Sequence, residues 1–214
     1  MPTEEQIARA RGRWDQLWHH FGVSAPTDGT FDELVTAYGD GQRHYHTFDH
    51  VLDCLRILDR FEHLASRPHE IEAAIWFHDA VYDTKREDNE EVSADWAAST
   101  LRNCGASPDA VGRVRGMILA TCHGGESSSS DEALALDIDL SILGRDQDEF
   151  DRYREQIRRE FDWVPAKAFQ SGRAKVLTGF LDRDCIFRTD ELRARYEEAA
   201  RENLATALKE LAQT

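Results

Sequence analysis

From Pro68 to Asp83 the chain reads PHEIEAAIWFHDAVYD. Proline suits the first turn of a helix, where its missing N–H would have no partner in any case. Ile71, Ala74, Ile75 and His78 then fall on one helical stripe, which aims the His78 imidazole at the interior shared by the apolar side chains. Asp79 follows between Phe77 and Ala80-Val81, and a carboxylate in such surroundings is costly unless it is paired or bound to a cation. Taken alone, the His78-Asp79 pair also reads as a core histidine with an aspartate as its internal hydrogen-bond partner. His69-Glu70 begins the H-E-x-x pattern of a zinc protease, but Ala73 stands where the second histidine should be.

Outward from this helix the same spacing recurs in both directions, and no strand series appears. Thr3 with Gln6 forms a capping-box pattern ahead of Ile7, Trp14, Leu17, Trp18 and Phe21, and Thr30 with Glu33 repeats it for a short helix ending near Gly39. From about Thr47 a longer helix carries Val51, Leu55, Leu58 and Phe61. Asp88-Asn89 opens another, closed by Gly105, and Ser107-Pro108 reads as a cap with proline in the first turn. Residues 124–130 are the most loop-like stretch. Asp131 to Leu143 reads as one apolar helix stopped by Gly144, and three more helices are expected over 147–162, 166–182 and 190–212. The last is strongly charged along one face and is expected on the outside. The pattern predicts an all-α bundle of about eight to ten helices. With no internal repeat or long linker, residues 1–214 are expected to form a single domain, its core at about 43–182.

Hydrophobic residues make up 41% and charged residues 31%, a balance that excludes a wholly disordered chain. Against 41 acidic residues stand 26 basic ones, a net charge of −15. Such a surface repels phosphate backbones, so general nucleic-acid binding is not expected, while a local pocket for one small anion remains compatible. The N-terminus has neither a basic nor an apolar signal region, and no apolar run is long enough to span a membrane. Cys54, Cys104, Cys122 and Cys185 lie far apart without a C-x-x-C pair, as for thiols in a reducing compartment, and a cytoplasmic setting is expected. Phosphate-cradling glycine loops and the G-x-S-x-G elbow are absent.

Two further segments bear on His78-Asp79. His46 and His50 stand at i and i+4, and the apolar stripe that follows aims His50 inward. Asp137 and Asp139 interrupt the run Leu134-Ala135-Leu136-Asp137-Ile138-Asp139-Leu140, where Asp139 shares a stripe with Leu136, Ile142 and Leu143. A buried cap or ion-pair partner accounts for such an aspartate as well as a metal ligand does. His19, His20, His63 and His69 have polar neighbours and are expected in solvent.

Three extended motifs carry a family resemblance. Arg43-His44-Tyr45-His46-Thr47-x-x-His50-Val51, Trp76-Phe77-His78-Asp79-Ala80-Val81-Tyr82-Asp83 and Asp137-x-Asp139-Leu140-Ser141-Ile142-Leu143-Gly144 together resemble the H…HD…D signature of the HD superfamily, in particular a subfamily of metal-dependent phosphohydrolases. The resemblance extends from about residue 5 to residue 205. It implies an HD-like helical fold with His50, His78, Asp79 and Asp139 as metal ligands. Two imidazoles and two carboxylates suit Mn, Mg, Fe, Ni, Co or Zn in the divalent state, and leave room for water and a phosphate oxygen. The implied activity is hydrolysis of a phosphomonoester or phosphodiester, nucleotides included, by metal-activated water.

The run His78-Asp79-Ala80-Val81-Tyr82-Asp83-Thr84 is similar to the H-D-x-x-E-D-T of guanosine-polyphosphate hydrolases, with Tyr82 in place of the glutamate. That likeness makes Asp83 a candidate general base or water-orienting group. Separately, His46 is a candidate catalytic group, supporting the ligands from behind or contacting phosphate. His123 is a candidate for a second metal or for phosphate. Lys85, Arg43, Arg158 and Arg173 are candidate phosphate partners, the last two within Tyr153-x-x-x-Ile157-Arg158-x-Glu160-Phe161 and Gly172-Arg173-x-x-Val176-Leu177, which also resemble subfamily motifs. The expected partner is a small phosphorylated molecule or nucleotide, with no membrane, and the acidic exterior is compatible with a homodimer. Two alternatives are a non-catalytic metal- and nucleotide-binding regulatory module and an HD-fold di-iron oxygenase. The oxygenase class needs two further histidines between the HD pair and the last aspartate, where only His123 stands.

Overall fold

A computed structural model describes residues 2–26, 29–123 and 127–213, the side chain of His123 excepted. Among these residues there are ten α-helices and no strand: α1 Glu4–His20, α2 Thr30–Tyr38, α3 Phe48–Phe61, α4 Pro68–Phe77, α5 Asn89–Cys104, α6 Pro108–His123, α7 Ser130–Asp139, α8 Gln147–Glu160, α9 Ala166–Leu181 and α10 Asp190–Leu211. Short 3-10 helices cover Glu62–Leu64 and Leu140–Gly144. None of these helices is long and apolar enough to cross a membrane. The chain divides into two compact units, Met1–Leu136 and Asp137–Thr214. The division falls inside α7, so Asp137, Ile138 and Asp139 form the last turn of a helix that starts in the first unit.

Several helix ends follow the caps in the sequence. Thr3 accepts the Gln6 N–H while the Gln6 side chain accepts the Thr3 N–H, closing the capping box of α1. Pro68 opens α4, and Gly105 ends α5 at φ +90°, a conformation most residues avoid. The capping box expected at Thr30 does not form. Gly29 occupies the cap position in a left-handed conformation, and Thr30 is the first helical residue, its side chain buried. The helix expected from Asp131 to Leu143 also breaks earlier, becoming 3-10 at Leu140. Residues 124–126 of the expected loop lie outside the described residues.

In the first unit α4 is buried on nearly every side; from Glu70 to Phe77 only Glu72 retains partial exposure. Trp76 and Phe77 meet the Trp14 ring of α1 at 5.7 Å and 5.8 Å between centroids, and Phe48 of α3 approaches Trp76 at 6.0 Å. Each large apolar side chain so enclosed contributes about 1.5–3 kcal/mol by leaving water. The start of α4 is held by Asp131, whose carboxylate accepts the N–H groups of Ser66 and Arg67 at 2.7 Å and 3.1 Å.

In the second unit one face of α10 is buried, while the charged face expected from the sequence stays exposed. Leu192, Tyr196, Ala200, Asn203, Leu204 and Ala207 are buried along it. The Asn203 amide donates to the carbonyls of Leu143 and Arg145, both at 2.9 Å, which ties the 3-10 helix Leu140–Gly144 to α10. Gly144 makes that contact feasible, because a Cβ there would lie 2.5 Å from the Tyr196 carbonyl oxygen.

Candidate metal centre

Three helices supply the candidate ligands: α3 gives His50, the end of α4 gives His78 and Asp79, and the last residue of α7 is Asp139. His50 sits in the first turn of α3 with Val51, Cys54, Leu55 and Leu58 buried beyond it. Its exposure is 6%, and that of His78 is 5%. The His78 N–H donates to the Ala74 carbonyl at 2.9 Å, the bond that closes α4.

The two rings are oriented by different means. His78 Nδ1 lies 2.9 Å from the Ile75 carbonyl oxygen. A carbonyl can only accept, so Nδ1 carries the proton and the neutral ring presents a lone pair at Nε2. That nitrogen lies 3.2 Å from His50 Nε2. Nitrogen donors about 2.0–2.1 Å from one ion stand about 2.9–3.4 Å apart, between right-angle and tetrahedral arrangements. The spacing therefore fits two imidazoles sharing a cation.

One ligand atom each from His50, His78 and Asp139 lies within 4.8 Å of the others, the one such group among the described residues, and these three side chains could hold a metal ion. Asp79 stands beside them with Oδ2 at 3.0 Å from His78 Nε2 and 3.9 Å from His50 Nε2. The negative charge of Asp79 reaches Tyr38, whose buried hydroxyl donates to the Trp76 carbonyl at 3.1 Å. Burial and, next, the Asp79 charge hold that phenol well above its ordinary pKa.

Arg43 shapes this turn. Its guanidinium donates to the carbonyls of Asp79 at 2.6 Å, Ala80 at 2.9 Å and His46 at 3.1 Å, and lies over the rings of Tyr38 and Tyr82. The side chain is buried, and its Nε is a buried donor without a partner. Arg43, expected as a phosphate partner, clamps the backbone that carries Asp79. Sequence reasoning missed this because carbonyls leave no mark in a sequence.

The remaining candidates are placed as follows. His46 precedes α3, with its ring stacked on Tyr82 at 4.2 Å and 6.1 Å from the His50 ring. Asp83 is exposed and makes local bonds: its carboxylate accepts the Lys85 N–H at 2.9 Å, and its backbone exchanges two bonds with the Asn89 side chain. None of these bonds reaches His50 or His78. Lys85 is exposed in the same turn. Arg158 and Arg173 belong to α8 and α9. The side chain of His123 lies outside the described residues. Two neighbours of His50 were not singled out from the sequence: Cys54 Sγ, 3.8 Å from both ring nitrogens, and the Tyr45 ring at 4.7 Å. Cys54 stands four residues after His50, a spacing that marks adjacency on a helix.

Asp137 and Asp139 prove unlike. The Asp137 carboxylate is fully buried and accepts the N–H groups of Arg188 and Thr189 and the Thr189 hydroxyl at 2.7–2.9 Å. It anchors the two residues that lead into α10, whose own cap residue Thr189 makes no side-chain bond to the helix. Burial raises its pKa despite these donors. Asp139 is half-buried and belongs to the histidine group. Comparison of the chain with family models, with curated proteins and with solved structures returns no match.

Proposed function

We propose that this chain is a metal-dependent phosphohydrolase of the HD type, acting on a phosphomonoester or phosphodiester, nucleotides included. The observation that carries the reading is the opposition of His50 Nε2 and His78 Nε2 at 3.2 Å, with the His78 proton fixed on the far nitrogen by the Ile75 carbonyl. An imidazole held in that tautomer is the arrangement metal-binding histidines use. The resemblance of the three motifs to the HD signature supports the same assignment.

His50, His78 and Asp139 would hold the cation, with Asp79 as fourth ligand. A divalent ion in such a set lowers the pKa of a water and offsets charge that builds on phosphorus. The protein's share is positioning. Ile75 fixes the His78 ring. Arg43 fixes the Asp79 backbone and, through the His46 carbonyl, the start of α3. The Tyr82 ring orients His46, which we assign to the substrate phosphate or to the proton delivered to the leaving oxygen. No side-chain nucleophile is required.

The test is a panel of phosphomonoesters, phosphodiesters and nucleotides assayed with added Mn²⁺, Mg²⁺, Co²⁺ or Ni²⁺. Release of phosphate or phenol from at least one member is expected, and its loss in Asp139→Ala. Metal binding with silence across the panel would favour a regulatory module, and iron-dependent oxygen uptake would favour an oxygenase.

A further inference from the structure

In the second unit α8, α9 and α10 enclose a cleft of about 470 Å³, lined among others by Arg154, Arg158, Phe169, Arg173 and Glu210. None of the metal-ligand candidates borders it. Its three arginines are used differently. Arg154 is neutralised by Asp151 at 2.8 Å and Glu210 at 2.7 Å. Arg158 donates to the carbonyls of Phe161 and Val164 and lies over the Phe169 ring at 4.7 Å. Arg173 donates to the Tyr153 hydroxyl at 2.8 Å and lies over that ring at 5.1 Å. Neither Arg158 nor Arg173 meets a carboxylate within salt-bridge distance among the described residues. Both guanidiniums are half-buried, and no carboxylate among the described residues cancels their charge.

The surroundings hold them in this state. Carbonyls, a hydroxyl and aromatic faces fix the orientation of each guanidinium without cancelling its charge, and most of its N–H donors stay available to a ligand. Helix α9 carries Lys167, Arg173 and Lys175 and no carboxylate, so the wall itself adds positive potential, while Glu155 stands exposed at the rim. Planar, preoriented guanidiniums are the side chains best matched to a tetrahedral oxyanion.

We propose that this cleft binds a phosphate dianion, free or esterified, on Arg158 and Arg173, separately from the metal centre. The proposal does not depend on the hydrolase reading and can fail alone. Titration calorimetry on the full chain stripped of metal tests it, with inorganic phosphate in one arm and glycerol 3-phosphate in the other. One site per chain is expected without metal. Arg173→Gln, which retains a donor for the Tyr153 hydroxyl, should weaken it about tenfold or more, as for loss of a charged hydrogen bond, with an unchanged circular dichroism spectrum. Should that variant not fold, Arg173→Lys serves, and Arg158→Lys tests the other guanidinium. Tighter binding of the ester assigns the cleft to an esterified ligand, and equal binding assigns it to the dianion alone. Absence of binding in both arms, binding only after metal is restored, or equal affinity in the variants overturns the proposal.

Discussion

Helix α4 carries a histidine at each end, and the two ends have opposite chemistry. At its start His69 is half-buried, its ring 4.8 Å from Phe21 and 6.4 Å from His20. Carboxylates are plentiful there, but arginines consume them: Arg13 forks onto Glu72 at 2.9 Å and 3.0 Å and also reaches Asp59, while Arg113 holds both oxygens of Glu70 at 2.7 Å. At the other end the neighbouring arginine, Arg43, donates to three carbonyls instead, and the Asp79 carboxylate faces His78 and His50. Histidines and carboxylates thus stand close together at both ends, but among the described residues only the second end contributes to a group that could hold a cation. What separates the two ends is where the local arginine spends its hydrogen bonds.

The sharpest way to break this contrast is to remove each histidine in turn. His78→Ala should take the metal content, by elemental analysis of protein purified without chelator, from about one divalent ion per chain to almost none, as expected when a ligand is deleted. His69→Ala should leave it unchanged. Equal loss in both variants would sink the distinction. A smaller effect is expected from Arg43→Lys, which keeps the charge but cannot fork across three carbonyls. Metal affinity should fall about 10–100-fold, the range for loss of groups that orient ligands, with helical content preserved; an unaltered dissociation constant would remove Arg43 from the centre.

The smallest effect belongs to the other end. Burial, followed by the opposing pull of Glu70 and the repulsion of His20, holds His69 below its ordinary pKa. The unfolded chain then takes up the proton more readily than the folded one. Stability is retained above the ordinary histidine value of about 6.5 and lost as the pH falls below it. His69→Gln should lose less stability than the parent between pH 7 and pH 5, read from urea midpoints, and identical losses would show that His69 does not contribute.

Much of this arrangement was legible in the sequence, and the exceptions have physical causes. Pro68, Ser107-Pro108 and Gly105 marked real helix ends because their backbone chemistry is local. Thr30 failed as a cap because the preceding Gly29 enters the left-handed region and takes that position. The inner face of α10 was harder to read because, beside Leu192, Tyr196 and Leu204, it relies on Ala200, Ala207 and Asn203, which do not stand out against so many charges. The histidine group was foreseeable, since imidazoles and carboxylates interrupting apolar stripes require partners. Composition alone does not separate Asp137 from Asp139, which share one apolar run, and only the resemblance to the HD signature singled out Asp139. The return of Arg188 and Thr189 to the first of them marks it as a partner of the backbone.

The contact at Gly144 gives this last region an Achilles heel. Five positions after Asp139 the main chain rests against the Tyr196 backbone with no room for even a methyl group. Any other amino acid there would wedge the strut that begins at Leu140 away from α10, and the jolt would travel back along it to the carboxylate at 139. A lesion that alters none of the candidate ligands would thus displace one of them by dislocation alone.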